Sequence, residues 1–185
     1  MSEKREKKGR IVKETLPSEV GSIVGSLLAG IALTFLILPF DSFLILILMI
    51  PALLSLRGNL SSPFIARTSR DMIIGDFSKK TWIENVLATF TLSIITAFMI
   101  GLLTILLDLM VFNFSILHAA YLLLIPIISI SFTILISIPC STILNFLAFR
   151  RGLDPNNVVN PIMTAIDDFS TVMCFFLTLI ILGVP

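Results

Sequence analysis

Residues 154–183 read DPNNVVNPIMTAIDDFSTVMCFFLTLIILG, and within this apolar run stand two adjacent carboxylates, Asp167 and Asp168. An ionisable residue near the centre of a membrane helix costs about 2.5–3.5 kcal/mol on insertion scales, so it marks a pathway, a partner or a bound cation. Asp154 suits an N-cap and Pro155 suits the first helical position. At 100° per residue, Asn157, Asn160, Pro161, Thr164, Asp167, Asp168 and Thr171 fall on one arc of about 120°. Met163, Ala165, Ile166, Phe169, Val172, Met173 and Phe176 occupy the rest. The pattern predicts a helix whose polar face, at membrane depth, lines water or another polar surface rather than lipid. Pro161 would also leave the carbonyl of Asn157 without its usual helix donor, on the same face as Asp168. A freed carbonyl and a carboxylate are hard oxygen ligands, suited to Mg²⁺, Ca²⁺ or Na⁺ and poorly suited to soft metals.

The rest of the chain matches this membrane reading. It is 56% hydrophobic and 14% charged with a mean hydropathy of +1.04, and its apolar stretches repeatedly reach the ~20 residues that cross a bilayer core. Five spans are expected, at residues 18–38, 43–66, 82–112, 117–148 and 157–183. Residues 1–16 read as a tail retained in the mature protein, because the apolar segment after them is too long for a signal-peptide core and no cleavage pattern follows. Residues 17–185 read as one five-span domain. Cys140 and Cys174 lie within apolar segments, where a thiol acts as a small hydrophobe. His118, the only histidine, is expected at an interface near the start of the fourth span.

Basic residues set the orientation. Lys4, Arg5, Lys7, Lys8, Arg10 and Lys13 precede the first span; Arg67, Arg70, Lys79 and Lys80 lie between the second and third; Arg150 and Arg151 lie between the fourth and fifth. The connections around Pro39-Phe40-Asp41 and Asn113-Phe114-Ser115 carry no Lys or Arg. The positive-inside rule therefore puts the N-terminus in the cytosol and the C-terminus outside. The basic residues are thus explained by topology, with no nucleic-acid role. Gly21, Gly25 and Ala29 line the first span at four-residue spacing, a stripe that lets helix backbones approach closely within a subunit or between subunits.

Arg57 is the one basic residue expected deep in the membrane. An ion pair with Asp167 is the alternative to ion binding there, and no second deep cation is left for Asp168. Arg57-Gly58-Asn59 interrupts the second apolar stretch, which predicts a helix break at Gly58 that sets Asn59 against a water-filled path.

Two stretches, PALLSLRGNL at residues 51–60 continuing through Ala66-Arg67 and Gly75, and Asp154-Pro-Asn-Asn-Val-Val-Asn-Pro161 through Asp168, resemble the membrane domain of the MgtE magnesium transporters. The resemblance is strongest to the related eukaryotic solute-carrier branch and covers about residues 17–184. It implies an all-α, five-helix MgtE-like bundle in a cell membrane, acting as a homodimer with Mg²⁺ as the transported ion. The carboxylate seven residues after the Pro of the last span, here Asp168, would face the central ion path, and Gly58-Asn59 corresponds to the family's Gly-Asn element. Bacterial members have Gly where this chain has Arg57, and usually have Gly where it has Thr171; the residues before the first span are too few for their cytosolic sensing domains.

The expected function is a divalent-cation transporter or channel, with Asp168, Asn59, Asn157, Thr164 and Asp167 as candidate ion ligands. A sodium- or proton-coupled exchanger is the first alternative, and a non-transporting membrane subunit is a further one. An enzyme is not expected: adjacent helical residues point about 100° apart, and no second aspartate motif on a facing span completes an acid/base dyad.

Overall fold

A computed structural model of the chain describes residues 8–37, 44–112 and 118–184. A segment immersed in hydrocarbon must satisfy its backbone polar groups internally, and the described residues form helices and no strand. Helix α1 spans Lys8–Ile37, α2 Leu44–Ile74, α3 Lys79–Leu107, α4 Ala119–Arg150 and α5 Pro155–Leu182; a π-helical turn, Asp108–Phe112, extends α3. All five are long and apolar enough to cross a membrane, with mean hydropathies of 1.8–2.4 in their most apolar windows. At 1.5 Å per residue each exceeds the ~30 Å hydrocarbon core, so the helices tilt or project beyond it.

The helix ends follow local chemistry. Asp154 caps α5, its Oδ1 accepting from the Asn156 N–H at 2.8 Å, and Pro155 takes the first turn. Ser78 and Thr81 cap α3 reciprocally through backbone–hydroxyl hydrogen bonds of 3.0 and 3.2 Å. Gly75, Gly152 and Gly183 follow the ends of α2, α4 and α5 with φ of 79°, 67° and 62°, a left-handed conformation that L side chains seldom adopt.

Helices α2, α4 and α5 form the centre, and their side chains, among them Leu46, Met49, Leu53, Ile125, Phe175 and Leu179, make the main core. Helix α3 packs on α2 and α4, whereas α1 packs chiefly along α5. Both outer helices turn large apolar side chains such as Leu27, Phe35, Leu87 and Leu103 outward. With lipid as apolar as these side chains, helix association depends on close packing of small residues. Gly25 shows this directly, because a Cβ there would collide with Ala165 of α5. At Gly101 a Cβ would come within 2.9 Å of the Leu123 backbone. The small-residue stripe of α1 is thus used at Gly25 for packing within the subunit, whereas a Cβ on Gly21 would meet nothing.

Two expectations need correction, and one helix starts earlier than its expected span. Helix α2 runs unbroken through Arg57-Gly58-Asn59, because Arg57 turns into the bundle and Gly58 does not adopt a left-handed conformation, so the helix need not open to place these polar groups. Helix α1 begins at Lys8, so residues 8–16 of the expected tail are helical. Helix α2 extends to Ile74 and carries Arg67 and Arg70, which were expected in a connection. The connections expected around Asp41 and Asn113, and residues 1–7 of the tail, lie outside the described residues.

Candidate functional site

The polar face of α5 and the inward side of α2 meet in an ion cluster. Arg57 Nη1 donates to Asp167 Oδ2 at 3.1 Å, and Arg57 Nη2 donates to Asp168 Oδ1 at 2.5 Å. Ser61, one turn beyond Arg57, donates its hydroxyl to the same Asp167 Oδ2 at 2.7 Å and lies 3.2 Å from the Ser137 hydroxyl of α4. From α1, Ser26 donates to Asp168 Oδ2 at 2.7 Å. Four helices therefore converge on one guanidinium and two carboxylates.

The two carboxylates sit in different surroundings. The Asp167 side chain is 0% exposed and that of Asp168 is 18% exposed, with Arg57 at 8% between them. With one guanidinium shared between two carboxylates, the ionised cluster retains one surplus negative charge, and Asp168 is the member that solvent or an ion can reach. Asp167 Oδ1 and Arg57 Nε are buried without hydrogen-bond partners. Beside Arg57 a cavity of about 10 Å³, lined also by Ser61, Thr133 and Ser137, has room for one water molecule.

The Arg57–Asp167 ion pair, offered as the alternative to ion binding at Asp167, is present, and Arg57 bridges Asp168 as well. Asp168 has a deep cationic partner after all, and it is the same one. The remaining candidate ligands stand apart from this cluster. Asn59 is exposed on α2. Thr164 is exposed on α5 and donates to the Asn160 carbonyl at 3.0 Å. The Asn157 carbonyl accepts a hydrogen bond from Ser18 of α1 at 3.2 Å, and the Asn157 amide lies 3.5 Å from Glu14 Oε2. Pro161 offers that carbonyl no helix donor, and the Ser18 hydroxyl of α1, which also lies 2.8 Å from the Thr15 carbonyl, is the group that reaches it.

The polar arc of α5 is also less open than expected. Pro161, Asp167 and Thr171 are buried, Asn157, Asn160 and Asp168 are half-buried, and only Thr164 is fully exposed. Helix α1, seated along α5 through Gly25 and Ala165, covers part of the arc. Met163, Val172 and Phe176 are buried on the apolar side, while Phe169 and Met173 are exposed there.

Sequence reasoning missed Ser26, Ser61 and Ser137. Ser61 had a readable signal, since it lies four residues after Arg57 on the same helix face. Ser26 adjoins Gly25, whose small size lets α1 come close enough for its neighbour to reach Asp168. Among the described residues no group of three or more His, Cys, Asp or Glu side chains could hold a metal ion. Both Asp168 oxygens are engaged, Oδ1 by Arg57 and Oδ2 by Ser26, so the cluster is not a cage of protein ligands.

Residues 50–178 match a family model, MgtE, described as a divalent cation transporter. The match includes Arg57, Ser61, Ser137, Asp167 and Asp168 and excludes Ser26. No curated protein matches the chain.

Proposed function

We propose a route for the ion from one premise: this multi-pass membrane protein belongs to the MgtE family of divalent cation transporters. The ion is Mg²⁺, and it passes Asp168 at the interface of a homodimer. The observation that carries this reading is the arrangement of two carboxylates on one guanidinium, with Asp168 the half-buried member; with all three ionised it holds one surplus negative charge. Two such clusters facing a two-fold axis would favour a divalent over a monovalent cation by Coulomb attraction. Mg²⁺ dehydrates reluctantly, and the sparse protein ligands suit an ion that keeps most of its water.

A second copy is supported by the exposed polar groups. Asn59 and Thr164 lie well inside α2 and α5 and are exposed on a single chain. The Thr164 hydroxyl is already satisfied by the Asn160 carbonyl, but the Asn59 amide facing lipid would sit without hydrogen-bonding solvent; facing a partner or a hydrated path, it would not. Thr164→Cys is therefore expected to give a covalent dimer with a short bis-maleimide in membranes. A transport-competent protein that runs as a monomer throughout would refute the interface.

The orientation proposed from the basic residues puts the N-terminus in the cytosol. A C-terminal tag should then be labelled in intact cells by an impermeant reagent. Labelling only after permeabilisation would reverse the topology.

One observation favours coupled exchange as a second reading. Asp167 is wholly buried and keeps an oxygen without a partner, near a water-sized cavity. In that reading a sodium ion or a proton uses Asp167 while the divalent ion uses Asp168. Divalent flux that requires an imposed sodium or proton gradient would favour exchange; flux driven by the divalent gradient alone would favour a passive path.

A further inference from the structure

We propose that Arg57 is a tethered competitor of the transported ion: its guanidinium occupies Asp168 when no divalent cation is bound, leaves that carboxylate when one binds, and speeds the ion's release. This inference rests on the reading that Asp168 meets the ion.

The two holds on the guanidinium differ in burial and not in closeness, since the Asp168 contact, at 2.5 Å, is shorter than the 3.1 Å contact to Asp167. Asp167 is fully buried, and its Oδ2 is fixed by Ser61 as well as by Arg57 Nη1. Asp168 is partly exposed, and its second oxygen is held by Ser26 from the outer helix α1. When Arg57 Nη2 leaves Asp168, the guanidinium remains paired with Asp167, so no buried charge is stranded. Arginine cannot vacate the site by losing its proton, because it stays charged throughout the accessible pH range. Displacement by another cation is therefore the available way to free Asp168.

The freed N–H groups have somewhere to go. The cavity beside Arg57 is lined by Ser61, Thr133 and Ser137 among apolar side chains, and their hydroxyls are the groups there that can accept hydrogen bonds directly or through one water. Once a divalent ion sits on Asp168, the cluster changes from one surplus negative charge to one surplus positive charge. Repulsion between the ion and the retained guanidinium then loosens the ion, as conduction demands of any site along a path. A neutral residue at this position would let the two carboxylates hold the ion more tightly.

The test is the concentration dependence of Mg²⁺ uptake into liposomes containing the purified full chain, together with Mg²⁺-dependent thermal stability. Arg57→Gln is expected to lower the half-saturating Mg²⁺ concentration at least about tenfold, since a competing unit charge a few ångströms away has been removed. Its maximal rate should fall as release slows. Its melting temperature should rise more with added Mg²⁺ than that of the parent chain, because tighter binding to the folded state stabilises it more at a given concentration. Arg57→Lys, which keeps the charge, should stay within a few-fold of the parent half-saturation.

A folded Arg57→Gln protein with unchanged or raised half-saturation would overturn the proposal. Should that variant fail to fold, Arg57→Gln combined with Asp167→Asn keeps Asp168 as the sole charge and removes the buried pair. It too must show a lowered half-saturation, and failure to do so would overturn the proposal equally. Absence of Mg²⁺ uptake by the parent chain would instead refute the transport reading itself.

Discussion

Asp167→Leu is expected to destabilise the folded protein by about 3 kcal/mol, at the low end of the cost of breaking a buried ion pair. The Asp167 side chain is 0% exposed, and its Oδ2 accepts both Arg57 Nη1 and the Ser61 hydroxyl. Leucine fills similar volume but accepts nothing, so two buried donors lose their acceptor. The loss stays at the low end because Arg57 still has Asp168, leaving one cation matched to one anion. Asp167→Asn retains an amide oxygen where Oδ2 stands, so it should cost only about 1 kcal/mol. Unfolding of the purified variants by heat or denaturant in one detergent measures the difference. Equal losses for Leu and Asn would show that the hydrogen-bonded pair adds nothing beyond side-chain volume.

The same bridging geometry reshapes the charge argument. If Arg57 bound Asp167 alone, removing Asp167 would strand a deep cation. Because Arg57 also holds Asp168, removing Asp167 instead cancels the cluster's surplus negative charge. Both Asp167 variants should therefore weaken divalent binding, irrespective of their stability.

How much of this was legible follows from which quantities depend on sequence period and which on distances between helices. Span number and helix type were readable because long apolar runs have few alternatives in a bilayer, and the Asp154-Pro155 start of α5 was readable from capping chemistry. The meeting of Arg57 with Asp167 was readable as charge balance: one deep cation in a chain with few deep anions needs a partner. That one guanidinium reaches both aspartates was not readable. Adjacent helical residues point about 100° apart, so bridging them depends on the approach of α2 to α5 and on rotamers. The cover provided by α1 was hidden for a similar reason. Gly25 signals close approach to some helix, but only the fold shows that Ala165 is its neighbour and that Ser26 and Ser18 then reach Asp168 and the Asn157 carbonyl. The break expected at Gly58 failed because a polar cluster in an apolar run has two remedies, opening the helix or turning the charge inward, and α2 takes the second.

Asp168 is the residue on which the proposed route turns. Asp168→Asn keeps the side-chain volume and one oxygen, which can still accept from Arg57 while the Ser26 hydroxyl turns to accept from the new amide, and it removes the surplus charge of each cluster. Removing a unit charge about 4 Å from a divalent ion forfeits several kcal/mol at the effective dielectric near a protein surface, so uptake should fall at least about a hundredfold. Fold and assembly should survive, because Arg57 keeps its pair with the buried Asp167. The decisive measurement is Mg²⁺ uptake into liposomes by the purified parent chain and by Asp168→Asn, matched for reconstituted amount, melting temperature and dimer content. Saturable uptake by the parent and near-background uptake by the variant is the expected result. Uptake by the folded, dimeric variant at the parent rate would show that the ion does not pass Asp168.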